Sequence, residues 1–274
     1  MIVAIDTGGT KTLVASFGED GILGQQTKFA TPKDPKEYIS VLRGIIVDNY
    51  ASKRVDAIVV GTPGIIKNGI ITWGGGNLPW QNFDITAALK GVLGDTPIFV
   101  ENDAKLAGLS ETRFLETIPA QSLYVTVSTG IGTGIITNGH IDPALRNSEA
   151  GHALIEYNGK ISEWESFASG KAIYNTYGKY AHDITDRQTW DEIADRISRG
   201  FLAVIPILQP DVVIIGGSIG TYFSQFSGQL RRILEQRLPS HIPCPQFLQA
   251  KYPELAVIYG CYYYAIDHFS NKTA

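Results

Sequence analysis

The chain has 274 residues, 44% of them hydrophobic and 18% charged, enough to bury the cores of two domains. A net charge of −4 argues against a general electrostatic grip on nucleic acid, and Cys244 and Cys261, without CxxC spacing, form neither a disulfide framework nor a cysteine zinc site. Residues 1–6 lack a basic region ahead of an apolar one and residues 201–205 stop at Pro206, so neither a secretory signal nor a membrane span is expected, and the cytoplasm is the expected address.

Residues 2–5 and 13–17 are apolar and β-prone, and the small residues between them predict a hairpin with a tight turn. A third strand is expected over 24–29. Pro35 opens a helical pattern in which Tyr38, Ile39, Leu42, Ile45, Ile46 and Tyr50 recur at helical spacing. A buried strand at 57–60 runs into Gly61-Thr62-Pro63-Gly64, and 70–73 predicts an edge strand before the loop Gly74-Gly75-Gly76-Asn77-Leu78-Pro79-Trp80. A short helix at 85–89, a strand at 98–100 and a helix at 104–115 follow. The order then restarts, with a second hairpin from 123–127 and 134–137. Helices are expected over 163–180, 190–208, 222–237 and 256–269, with a strand at 212–215. A hairpin followed by alternating strands and helices, twice over, predicts two α/β domains, 1–110 and 111–274, with an interdomain cleft and a last helix that returns to the first domain. Asn271-Lys272-Thr273 matches a glycosylation sequon, read as chance without a secretory signal.

The chemistry concentrates at strand ends. Ala4-Ile5-Asp6-Thr7-Gly8-Gly9-Thr10-Lys11-Thr12 and Val127-Ser128-Thr129-Gly130-Ile131-Gly132-Thr133-Gly134-Ile135 are alike. Glycines there let backbone approach a ligand, and the N–H groups of such turns suit phosphate oxygens. Neither segment is a Walker A loop or a dinucleotide fingerprint. Asp6 could hold a hydrated Mg²⁺ or simply stabilise its turn. Asn102 and Asp103 could bind a polyol and accept a hydroxyl proton, or cap the following helix, or divide these duties. Glu149, His152 and Glu165 suit sugar hydroxyls, although a loop histidine and a glutamate in a helix's first turn are plainer readings. Asp211-Val212-Val213-Ile214-Ile215-Gly216-Gly217-Ser218 could seat a nucleoside or be an ordinary strand-to-helix turn. Lys160, Lys171 and Lys179 read as solvated.

Taken in order, these segments resemble the ROK family of bacterial sugar kinases, within the actin–hexokinase–Hsp70 superfamily, over nearly the whole chain. The resemblance implies the two-domain, ribonuclease H-like α/β fold of that superfamily. It implies Asp103 as general base, with Gly64, Asn77, Asn102, Glu149, His152 and Glu165 holding the sugar. Asp6, Gly8, Gly9, Thr10, Lys11, Thr129, Gly130, Gly132 and Thr133 would face Mg²⁺ and phosphates, and Gly216 and Gly217 the adenosine. Many members carry a cysteine-rich zinc segment after the Glu-x-Gly-His motif. Here residues 152–165 are short and contain no cysteine, so no structural zinc is expected. No helix-turn-helix segment precedes the first hairpin, which disfavours the repressor branch. The expected activity is transfer of phosphate from ATP to the 6-hydroxyl of glucose, in a homodimer. Alternatives are N-acetylmannosamine, N-acetylglucosamine, allose or fructose as acceptor, polyphosphate as donor, or a sugar sensor without catalysis.

Overall fold

A computed structural model describes residues 1–76 and 78–270, so Asn77 and the sequon at 271–273 lie outside the described residues. The chain divides into two compact units. One holds Met1–Ser110 together with the chain from Leu255 onward; the other is Glu111–Glu254, and the division falls inside a helix.

The first unit contains β1 (Ile2–Thr7), β2 (Lys11–Phe17), β3 (Leu23–Ala30), α1 (Pro35–Tyr50), β4 (Ala57–Thr62), β5 (Ile65–Lys67), β6 (Ile70–Trp73), β7 (Phe83–Asp84), α2 (Ile85–Leu89), β8 (Ile98–Asn102) and the start of α3 (Asp103–Arg113). Its main sheet runs β3-β2-β1-β4-β8, antiparallel across β1–β3 and parallel across β1, β4 and β8. Strand side chains alternate between faces. Val3, Ile5, Ile58 and Val60 join Tyr38, Leu42, Ile46 and Tyr50 of α1 in one core. Those four helix residues are spaced by four, so they form one buried stripe. Asp34 caps α1, its Oδ1 accepting from the N–H groups of Lys36 and Glu37, both at 2.9 Å, and Pro35 occupies the first turn.

The second unit contains the rest of α3, then β9 (Gln121–Val127), β10 (Ile131–Thr137), β11 (His140–Ile141), β12 (Leu154–Tyr157), β13 (Lys160–Glu163), α4 (Trp164–Ala168), α5 (Gly170–Tyr177), α6 (Arg187–Leu208), β14 (Val212–Gly216), α7 (Gly217–Gly220), α8 (Phe223–Arg237) and β15 (Gln246–Gln249). Its sheet order, β11-β10-β9-β14-β15, repeats the pattern of the first: a hairpin, then parallel strands. Val125, Val127, Val213 and Ile215 face Trp164, Ile197, Phe201 and Phe226. Gly200 of α6 has no Cβ because the Trp164 ring occupies that space.

The last helix, α9 (Ala256–Ser270), packs on β1 and β4 in the first unit. Gly260 lets its backbone meet that of Leu106, and Ser110 Oγ donates to the Ala256 carbonyl at 2.6 Å. No helix among the described residues is long and apolar enough to cross a membrane.

The structure departs from the sequence-based expectation at several elements, and β5, β7, β11 and β15 had no assigned strand. Residues 70–73 form the middle strand of a small sheet, β5-β6-β7, rather than an edge. The helix expected over 163–180 breaks at Ser169, whose backbone is extended (φ −71°, ψ 163°). The break lets the Gly170 N–H reach the Ser128 carbonyl at 2.6 Å, a contact no continuous helix would allow. Residues 154–163 form the β12–β13 hairpin, which had no assigned structure.

Candidate active site

In the first unit the polar groups gather where β1 and β8 end. These strands run parallel in one sheet, and open α/β sheets place ligands beyond such carboxyl ends. Asp6 sits one residue before the end of β1. Burial pushes its carboxyl up to about 7, the Asp103 carboxylate pushes the same way, and Lys28 pulls weakly against them. The turn after β1 holds Gly8, Gly9, Thr10 and Lys11, with the Gly8 N–H donating to the Lys11 carbonyl at 2.9 Å. Thr10 and Lys11 are exposed.

Of the two readings that the sequence left open for this pair, the structure shows the helix cap, and Asn102 supplies it. Asn102 is 6% exposed. Its Oδ1 accepts from the Lys105 N–H at 3.2 Å, capping α3, and its Nδ2 donates to the Gly64 carbonyl at 2.9 Å. Asn102 therefore fixes the loop after β4. Gly64 has φ +95°, and the Trp73 carbonyl stands where a Cβ would be. Asp103 opens α3, and the Ala104 N–H donates to its Oδ1 at 2.8 Å, which sets the direction of the carboxylate.

In the second unit the matching turn is shorter than the glycine pattern implied. It spans Ser128, Thr129 and Gly130, because Gly132 and Thr133 already lie in β10, paired with Thr126 and Val125. Thr133 is 1% exposed and its Oγ1 accepts from the Ala150 N–H at 3.2 Å, so it holds the Glu149–His152 segment. Glu165 of α4 anchors the turn: its Oε2 accepts from the Ile131 N–H at 3.1 Å and lies 2.6 Å from where a Gly130 Cβ would be. His152 Nδ1 stands 3.2 Å from Glu163 and 4.0 Å from Glu165. One ligand-type atom from each of these three residues lies within 4.8 Å of the others. Glu149 precedes the single helical turn at Ala150–His152, where the Ile131 carbonyl fills the place of a Gly151 side chain.

Gly216 ends β14 and Gly217 opens α7. Gly217 has φ +80°, and the Val127 carbonyl lies 2.5 Å from a would-be Cβ. This close approach brings the β14–α7 bend against the base of the Ser128–Gly130 turn. A cavity of about 850 Å³ opens there, and its lining includes Ser128, Thr129, Gly217 and Ser218 together with Tyr174, Tyr180, His182 and Tyr222. The Tyr180 and His182 rings stack with centroids 5.7 Å apart. These aromatic residues belong to no motif in the sequence. Lys171 also lines the cavity, where the sequence suggested only a solvated lysine.

Two units of like sheet order, each ending a central strand in a small-residue turn, define the actin/hexokinase-like fold. The chain belongs to the ROK family, whose profile matches residues 2–268. A Bacillus subtilis protein provisionally named a fructokinase is 30% identical over 237 residues, 80% of this chain and 77% of its own length. The glucokinase of Thermotoga maritima is 27% identical, covering 94% of this chain and 95% of that one. The crystal structure of an inorganic polyphosphate/ATP-glucomannokinase from an Arthrobacter strain matches with a TM-score of 0.73 at 27% identity, covering 97% and 99%. The chain thus stands among the phosphotransferases with a hexose acceptor.

Proposed function

We propose that this protein transfers the γ-phosphoryl group of ATP to the 6-hydroxyl of a hexose, glucose first. The observation that supports this most is the pair Asp6 and Asp103 at the carboxyl ends of parallel strands, close enough for one carboxylate to raise the other's pKa. Two crowded carboxylates suit a cation and a proton-transfer site better than they suit stability. Asp103, its direction set by the Ala104 N–H, takes the proton from the attacking hydroxyl. Asp6 would hold a Mg²⁺ ion through water, and the ion would offset the charge of the donor phosphates. Backbone N–H groups of Gly9, Thr10, Thr129 and Gly130 meet the phosphates. Gly216 and Gly217 leave room for the adenosine, and the aromatic lining of the second unit's cavity suits its base. Asn77, Glu149, His152 and Glu165 hold sugar hydroxyls, which ask for several directional partners, and Asn102 adds the one N–H and one lone pair left over from its bonds to Gly64 and Lys105. Residues 152–165 supply no thiolate, so no structural zinc is part of this reading.

The relatives include a glucokinase and a protein provisionally named a fructokinase, and the Arthrobacter enzyme is named for both polyphosphate and ATP. A screen of ADP release over glucose, fructose, mannose, allose, N-acetylglucosamine and N-acetylmannosamine, repeated with polyphosphate by product analysis, tests the reading. ATP with glucose should give the highest kcat/KM. Absence of phosphorylation with every acceptor and both donors would overturn it.

A further inference from the structure

A hairpin turn exposes carbonyl oxygens as well as N–H groups, and a phosphate accepts hydrogen bonds without donating them. A turn that serves phosphate must therefore keep its carbonyls occupied elsewhere. The first unit's turn meets this condition through a segment that the proposed function does not use, the strap between β3 and α1. Thr31 Oγ1 donates to the Gly8 carbonyl at 2.8 Å, Lys33 Nζ to the Gly9 carbonyl at 2.6 Å, and the Thr31 N–H to the Thr10 carbonyl at 2.9 Å. Three consecutive carbonyls are engaged by two strap residues. Among the described residues, none accepts from the N–H groups of Gly9 or Thr10.

The strap is itself held. Thr31 is 7% exposed, and because its own proton is committed to Gly8 it receives one from Thr12 Oγ1 at 2.8 Å. The Lys33 carbonyl accepts from the indole N–H of Trp80 at 2.9 Å. Trp80 is 1% exposed and packs on Tyr38 at 4.7 Å between ring centroids, while the Tyr38 hydroxyl bonds the Thr7 hydroxyl at 2.6 Å at the end of β1. A buried aromatic pair thus fixes both the strand that enters the turn and the strap that orients it. The second turn has part of the same logic without a cation: Gly170 N–H donates to the Ser128 carbonyl at 2.6 Å and Ser128 N–H to the Gly130 carbonyl at 2.9 Å.

We propose that Thr31 and Lys33 are positioning residues for the donor's phosphates, turning the amide edge of Gly9 and Thr10 outward and placing an ammonium against the turn, with Trp80 locking them. This rests on the reading of the Gly8–Lys11 turn as a phosphate site. The substitutions are Thr31→Val, Lys33→Met, Lys33→Arg and Trp80→Phe, each close in shape to the native residue. Steady-state kinetics varies ATP at saturating hexose and hexose at saturating ATP, with thermal melting as the fold control. Loss of one turn-orienting bond should raise KM for ATP about tenfold in Thr31→Val and Lys33→Met, and several-fold in Trp80→Phe. KM for hexose should stay within about twofold, and Lys33→Arg, which keeps a cationic donor, should recover most of the ATP affinity. A merely structural strap would lower the melting temperature and the active fraction while leaving both KM values in place, and that result would overturn the inference. Lys33→Met changes an exposed side chain, so it keeps the test valid if Thr31→Val fails to fold. If the parent protein phosphorylates no hexose, the functional reading falls by itself. Calorimetry of MgATP binding to parent and Lys33→Met then decides the inference alone, with equal affinities refuting it.

Discussion

Replacing Asp6 with Asn should stabilise the protein, and by an amount that grows with pH. The Asp6 carboxyl titrates at about 7 in the folded chain, against an ordinary value of 3.8. Between these values the folded state keeps a proton that the unfolded state has released, so stability falls as pH rises through the window. Below 3.8 both states are protonated and nothing is lost; above 7 the full penalty applies. At 1.36 kcal/mol per pH unit, the difference between the two values corresponds to about 4 kcal/mol at most. Asn keeps the shape and does not titrate. The stability gap between Asp6→Asn and the parent, measured by urea unfolding without nucleotide or Mg²⁺, should widen by roughly 2–3 kcal/mol from pH 5 to pH 8. The same variant should lose ATP-dependent turnover, because the charge that costs stability is the charge proposed to hold the cation. A gap that stays flat over this range would show that Asp6 is neither desolvated nor crowded by Asp103, and the carboxylate-pair argument would fail.

Gly200→Ala would force a methyl group into the Trp164 ring and should cost about 3 kcal/mol in urea unfolding, with KM values of the folded fraction unchanged. Incubation with EDTA should leave the melting temperature in place, since residues 152–165 contain no thiolate. A drop of several degrees with release of one metal equivalent would instead assign a cation to His152, Glu163 and Glu165.

Much of the fold was legible because hydrophobic spacing sufficed. The stripe Tyr38, Leu42, Ile46 and Tyr50 and the apolar strands at 2–5, 57–60 and 212–215 belong to the buried cores. Among the missed pieces, β5, β11 and the β12–β13 hairpin share a signal that was present. Asn68-Gly69, Asn138-Gly139 and Asn158-Gly159 each form a two-residue turn with positive φ at both positions, joining β5 to β6, β10 to β11 and β12 to β13. β5, β11, β12 and β13 are short or partly polar, so apolar runs did not reveal them, but the Asn-Gly pairs did mark them. The break at Ser169 was not legible in the same way. It depends on Gly170 reaching Ser128, forty-two positions earlier in the chain, and local propensity favours one long helix.

The candidate site was legible as motifs and illegible as connections. Asp6, Asn102 and Asp103 stand at strand ends where their neighbours placed them. That Asn102 spends its amide on Lys105 and Gly64, that Thr133 holds Ala150, and that Glu165 secures the second turn all follow from tertiary contacts. Thr31 and Lys33 carried no motif; their importance lies in being the donors to the turn's carbonyls.

The measurement that bears most directly on the central claim is the turnover of Asp103→Asn with the best hexose of the acceptor screen, alongside direct binding of that sugar. The account predicts kcat lower by about 10²–10⁴-fold, with sugar affinity within a few-fold of the parent. A variant that turns over at close to the parental rate would contradict it, because another group would then be accepting the hydroxyl proton.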